Sequence, residues 1–240
     1  MTLQVRDLHA GYGDLPVVRA VSLLVAPGEI VALLGHNGVG KTTLLRAIMG
    51  LICPTGGHVA FAGRSLLALK PYSVAAQGIA YIPQDAALFP DLSVAQNLRV
   101  AFGTRAGFEA ACDYALAPFP FLRERFRQRA GTLSGGEQKM LLVARALLVA
   151  PKLILADEVT EGVQPMQVDR ISDVLRTLNT TTATAMLLVE QHVAFAIDLA
   201  HRFLVMKQGA IAAAGDAAAP AAQAEIESQL ASALLATGQS

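Results

Sequence analysis

Residues Gly35-His36-Asn37-Gly38-Val39-Gly40-Lys41-Thr42 combine three glycines, an ammonium and a hydroxyl in the spacing G-x-x-x-x-G-K-[ST]. Glycines let backbone N–H groups converge on an anion with no Cβ in the way. A helix starting where the loop ends turns its positive end toward the same anion. In such a cradle Lys41 bridges the β- and γ-phosphates of a nucleotide and the Thr42 hydroxyl ligates Mg²⁺. The apolar run 30–34 and the helical segment 42–49 are the strand and helix this loop requires.

Two acids close the apolar run Leu153-Ile154-Leu155-Ala156-Asp157-Glu158. Carboxylates at the end of a buried strand are costly without a partner, so a task is expected for them. Beside a phosphate cradle, Asp157 would help hold Mg²⁺ through its water shell and Glu158 would polarise an attacking water. A third constellation is Leu133-Ser134-Gly135-Gly136-Glu137-Gln138. Ser134 and Glu137 have the spacing of a capping box, opening a helix that runs to about residue 149 before Pro151. Capping leaves the paired glycines unexplained; they bare a helix N-terminus to close approach by an anion.

The elements that must position these groups alternate between strand and helix. Segments 3–8 and 17–25 read as strands parted by the turn Gly11-Tyr12-Gly13-Asp14, and Pro27-Gly28 turns the chain into strand 30–34. Strand 79–83 follows. Segment 94–129 is helix-forming, broken by Pro118 and Pro120, and ends in the charged run 123–129, expected to be a solvated helix face. A second series has strand 153–156, helix 167–178, strand 185–189, helix 194–200 and a hairpin of 203–206 with 210–213. The expectation is one α/β domain over residues 1–240, with a helical subdomain at about 94–130. An Ala-rich tail from about 217 to 240 is expected to be a loosely docked helix.

Composition narrows the class. The chain of 240 residues is 53% hydrophobic, with a mean hydropathy of +0.45. Its longest apolar candidate, 140–156, is interrupted by Arg145, Pro151 and Lys152, short of the ~20 residues that cross a bilayer. The excess fits a filled α/β core or a surface that docks on a membrane partner. A formal net charge of +0 gives no reason to expect nucleic acid. Cys53 and Cys112 form no C-x-x-C pair, and residues 1–10 lack the pattern of a signal peptide. A cytoplasmic protein is expected.

The third constellation resembles the LSGGQ signature of the ATP-binding cassette (ABC) family, and the likeness runs from about Leu3 to Asp216. It implies a P-loop NTPase α/β fold with an N-terminal antiparallel β part and an inserted helical subdomain. It also implies a dimer in which Ser134, Gly135 and Gly136 complete the partner's ATP site. By the same resemblance Tyr12 stacks on adenine, while Gly35, Asn37, Gly38, Gly40, Lys41, Thr42 and Thr43 hold the phosphates. Gln84 senses Mg²⁺ and couples to membrane subunits, and with Thr42 and Asp157 it makes up the metal set. Glu158, Gln84 and Gln191 form the catalytic set. Two departures stand out: Val159 replaces the family's proline, and the strand 185–189 aligns Gln191, not His192, with the switch histidine. Segments 34–40, Glu161-Gly162-Val163-Gln164-Pro165 and Leu188-Val189-Glu190-Gln191 resemble the second ATPases of the branched-chain amino acid importers, and Glu161–Pro165 with Ala80-Tyr81-Ile82-Pro83-Gln84 looks closest to their urea and short-chain amide branch. Such systems pair two ATPases with two membrane permeases and a periplasmic solute-binding protein, the ATPase lying on the inner face of the membrane. A heterodimer is the usual arrangement and a homodimer the other; a regulatory or assembly ATPase is the other function.

Overall fold

The computed structural model describes residues 2–84, 88–104 and 106–237, with side chains described as far as residue 231. Arg105 of the helical insert and residues 238–240 of the tail lie outside the described residues. Ten strands and nine α-helices are described. A twisted antiparallel sheet comprises β1 (Leu3–Tyr12), β2 (Leu15–Val25), β4 (Gly56–Phe61) and β5 (Arg64–Ser65), in the order β2-β1-β4-β5. The main sheet holds β3 (Ile30–Leu34), β6 (Ile79–Ile82), β7 (Leu153–Asp157), β8 (Ala185–Glu190), β9 (Arg202–Lys207) and β10 (Ala210–Asp216). Its order is β10-β9-β3-β8-β7-β6, parallel except for the β9–β10 hairpin.

The parallel strands are apolar throughout because both of their faces are covered. Alternation then decides which core each residue enters. Val31 and Leu33 of β3, Leu153 and Leu155 of β7, and Leu187 and Val189 of β8 join the antiparallel sheet and α1 (Lys41–Ile48). Ile154, Ala156, Met186 and Leu188 face the other way, onto α3 (Val94–Phe102), α4 (Phe108–Leu116), α6 (Gly135–Leu147) and α7 (Pro165–Thr182). Three of these strands end together, placing Leu34, Asp157 and Glu190 at one edge of the sheet. Loops at the carboxyl ends of parallel strands are where α/β folds put their ligands.

Several elements differ from the expectation. β1 continues to Tyr12, so the turn narrows to Gly13-Asp14. Register shifts around Leu8 and a left-handed Asp7 (φ +44°) break its alternation. β4, β5 and the short α2 (Pro71–Ala75) have no clear sequence period; β4 begins with two glycines and an exposed histidine. α7 runs on to Thr182, and there the hydroxyls of Thr180, Thr181 and Thr182 bond back to carbonyls of the preceding turn. The charged run 123–129 is no helix face: α5 (Pro120–Glu124) stops at its start and Arg125 pairs with Glu137.

The tail forms α9 (Ala222–Thr237), which packs on the body through its described side chains. Ala222 and Ile226 are buried against Phe203 and α8 (Val193–Leu199), and the Leu230 carbonyl lies 2.8 Å from His36 Nε2 in the glycine-rich loop. No helix among the described residues is long and apolar enough to cross a membrane.

Candidate functional site

The loop between β3 and α1 turns on Gly38 (φ +79°) and Gly40 (φ +109°), conformations that side chains with a Cβ rarely adopt. A Cβ on Gly35 would stand 2.7 Å from the Met206 carbonyl oxygen, which keeps that position small. Lys41, the first residue of α1, is 4% exposed. Its Nζ donates to the carbonyls of Gly35 (2.7 Å) and His36 (3.0 Å) and pairs with Glu158 Oε1 at 3.1 Å. Thr43 is buried one turn position on, while Asn37 and Gly38 are exposed.

Asp157 is fully buried at the end of β7, with Oδ1 accepting from the Thr42 hydroxyl (3.0 Å) and Oδ2 from the Tyr81 hydroxyl (3.1 Å). Burial raises its pKa above the usual carboxylate value, and the two hydroxyl donors counter that shift. Burial and the neighbouring Asp157 charge push the Tyr81 phenol upward as well.

Glu158 adopts φ +49°, a left-handed conformation costing about 1 kcal/mol or more for a residue with a Cβ. Its N–H bonds the Val189 carbonyl at 2.8 Å. Its Oε2 accepts from Gln84 Nε2 (2.9 Å) and Gln191 Nε2 (3.0 Å), and Gln191 also donates to Asn37 Oδ1 (2.6 Å). His192 instead occupies the N-cap of α8 and makes none of these contacts. The structure thus joins Lys41, Gln84, Glu158, Gln191 and Asn37 in one network, and Thr42, Asp157 and Tyr81 in a second beside it.

Ser134, Gly135 and Gly136 do not join it. Ser134 caps α6 in a reciprocal box with Glu137, and Ser134 and Gly135 are exposed. Burial works against the Glu137 charge, but the Ser134 N–H and hydroxyl and Arg125 hold its pKa below the usual value. A Cβ on Gly136 would meet only the amide end of the Gln167 side chain of α7, which can move aside. Tyr12 also stands apart, 48% exposed, its hydroxyl accepting from Arg46 Nη1 at 3.3 Å.

Sequence reasoning missed Lys139 and the task of Tyr81. Lys139, one turn past the signature glycines on α6, donates to the carbonyls of Gln84 (2.6 Å) and Glu158 (3.2 Å). No local spacing announces it. Tyr81 stands three residues before Gln84, and that nearness in sequence was the one available signal; its strand's place beside β7 appears only in the fold.

The donors suit magnesium in kind. The Thr42 hydroxyl, the Asp157 carboxylate and the Gln84 amide are hard oxygen ligands, and Thr42 and Asp157 already meet. Among the described residues no cluster of three His, Cys, Asp or Glu could hold a metal alone.

The ABC transporter family model matches residues 18–161, more than half of the chain. A high-affinity branched-chain amino acid transport ATP-binding protein, BraG of Pseudomonas aeruginosa, is 38% identical over 202 residues, 83% of this chain and 86% of its own. A probable branched-chain amino acid transport ATP-binding protein, LivF of Archaeoglobus fulgidus, is 35% identical over 217 residues, 90% and 92% of the two chains. The lipopolysaccharide export ATP-binding protein LptB of Acidithiobacillus ferridurans is 32% identical over 226 residues, 89% of each. Among solved structures, an ATP-binding subunit of an ABC transporter superposes with a TM-score of 0.84 at 27% identity, covering 98% of this chain and all of that one. Cassettes of this kind dimerise and work with membrane-spanning permeases. The chain belongs to the ABC transporter family, as an ATP-binding and ATP-hydrolysing cassette.

Proposed function

We propose that this chain powers an importer of branched-chain amino acids, or of urea and short-chain amides, by Mg²⁺-dependent ATP hydrolysis. The observation that carries the catalytic reading is Glu158, held between Lys41, Gln84 and Gln191. Lys41 takes the β- and γ-phosphates, with the Gly35, Asn37, Gly38, Gly40 and Thr43 stretch as cradle and Tyr12 stacking on the base. Thr42, Asp157 and Gln84 hold the metal. Mg²⁺, when bound, supplies neutralisation of charge on the phosphate oxygens. Glu158 polarises the attacking water and Gln191 donates toward the γ-phosphate. Ser134, Gly135 and Gly136, exposed at the head of α6, serve the site of a second cassette, either a different ATPase subunit or a copy of this chain.

Partners in this reading are two permeases and, through them, a periplasmic solute-binding protein, with the chain peripheral on the inner face of the membrane. In this reading a permease segment docks in the cleft between α2, β6 and α6, lined by Met49, Ala75, Pro83, Leu142 and Arg145, which supports it by reaching Pro83, the residue before Gln84. The solute reading leans on BraG and LivF for amino acids. The segments Glu161–Pro165 and Ala80–Gln84 speak for the amide branch. LptB and a putative 2-aminoethylphosphonate import protein, PhnT of Salmonella typhimurium, serve other solutes, so uptake decides the matter. Cells lacking the chain should lose uptake of labelled urea or labelled leucine, restored by the wild type and not by Glu158→Gln. Loss of neither overturns both solute assignments.

A regulatory or assembly cassette, using ATP-driven dimerisation without transport, is the second reading. Gln191 favours it, since an amide cannot carry the charge of the family's histidine. Steady-state ATPase with the partner subunits separates the two: turnover no greater than that of Glu158→Gln selects the regulatory cassette.

A further inference from the structure

Glu190 ends β8 with 2% of its surface exposed, and neither the phosphate cradle nor the metal set uses it. No ion pair between described residues includes it. Its carboxylate accepts instead from the Thr160 N–H (3.2 Å) and the Thr160 hydroxyl (2.9 Å), and Thr160 is itself buried. Burying an acid for bonds to one threonine and to the Gln191 N–H is a costly way to close a loop, which points to the loop's geometry as its purpose.

That loop carries Glu158. The strained Glu158 is pinned on one side by its own N–H to the Val189 carbonyl, and two residues later by Thr160 to the Glu190 carboxylate. Gln191, the next residue after Glu190, donates to Glu158. A single β-strand end therefore holds both the loop bearing the base and the amide that faces it. Val159, between these two anchors, is buried in the hydrophobic core.

We propose that Glu190 is a positioning residue for hydrolysis: its carboxylate clamps Thr160 and so keeps Glu158 and Gln191 in reacting geometry. The proposal rests on the reading of Glu158 as the group that polarises water. The Glu190–Thr160 contact touches no residue of the phosphate-binding loop, which meets Glu158 and Gln191 only through Lys41 and Asn37, so losing the clamp should slow turnover far more than it weakens nucleotide binding.

The test is steady-state ATPase and nucleotide binding of the full chain with its partner subunits. Glu190→Ala should lower kcat at least about tenfold with KM for ATP within about twofold. Thr160→Val, which keeps the N–H and loses the hydroxyl, should lower kcat about threefold, and Thr160→Ser should recover it. The Glu190→Ala/Thr160→Val pair should be no worse than Glu190→Ala, since both remove one clamp. A kcat within about twofold of wild type for Glu190→Ala, additive losses in the pair, or a parallel loss of ATP affinity overturns the proposal. If Glu190→Ala does not fold, the near-isosteric Thr160→Val and its serine rescue carry the test. Glu158→Gln distinguishes the two layers. Wild-type turnover in that variant defeats the base reading, whereas an inactive Glu158→Gln beside fully active clamp variants defeats the clamp alone.

Discussion

Lys41 and Glu158 form an ion pair of 3.1 Å whose side chains are only 3% and 4% exposed. The ammonium has three N–H bonds, and Glu158, the Gly35 carbonyl and the His36 carbonyl take all three. A phosphate that binds Lys41 must therefore replace one of these acceptors. Glu158 is the one side-chain acceptor of the three, the others being loop carbonyls, and Gln84 and Gln191 keep its other oxygen satisfied when the first is given up.

Removing the lysine strands a buried carboxylate. Lys41→Met should cost about 3 kcal/mol of stability, and adding Glu158→Gln should recover much of it. Urea unfolding of the two variants checks this. The single variant should also lose most ATP affinity, read by nucleotide titration; unchanged affinity would refute the P-loop reading.

Ser134 has two separable duties. Ser134→Ala removes the cap of α6 and should cost about 1 kcal/mol, seen in thermal unfolding. Ser134→Arg carries the same penalty but adds bulk where the second cassette is expected to approach. It should leave ATP binding by the monomer nearly intact and abolish ATP-dependent dimers in gel filtration.

Tyr81 supports Asp157 as a metal ligand. In Tyr81→Phe the buried carboxylate loses one of its two hydroxyl donors, so its pKa, already raised by burial, climbs further. Asp157 must be ionised to serve the metal. The acid limb of the ATPase pH profile should therefore move to higher pH, with kcat at pH 8 within about threefold of wild type.

Glu190 makes stability depend on pH near neutrality. Burial, with the nearby Glu158 charge adding to it, pushes the carboxyl from 4.5 up to about 7 despite the Thr160 donors. The folded state thus keeps a proton that the unfolded chain releases. The stability this confers is full below the unfolded value and is lost as pH rises through about 7. Melting temperatures taken from pH 5.5 to 8 should fall in the wild type and lose most of that slope in Glu190→Gln.

The chemistry was legible in the sequence where its parts are contiguous. The glycine-rich loop with Lys41 and Thr42, the paired Asp157 and Glu158, and the Ser134–Glu137 box each lie within eight residues. Local backbone geometry alone makes such spacings meaningful. Strands β3, β7 and β8 were equally plain, since strands buried on both faces must be apolar throughout. Strand β4 and the true extent of β1 were not, because glycines and a bulge erase the period of two.

Which residues meet was settled only by the sheet. Gln191 reaches Asn37 across 154 positions, Tyr81 reaches Asp157 across 76, and Lys139 reaches Gln84 across 55. The strand order β3-β8-β7-β6 sets β7 between β6 and β8, and that neighbourhood leaves no trace in local spacing. The same holds for α9, whose Ala-rich sequence reads as a weak tail. It docks because Phe203 and α8 offer Ala222 and Ile226 a surface that only the folded chain contains.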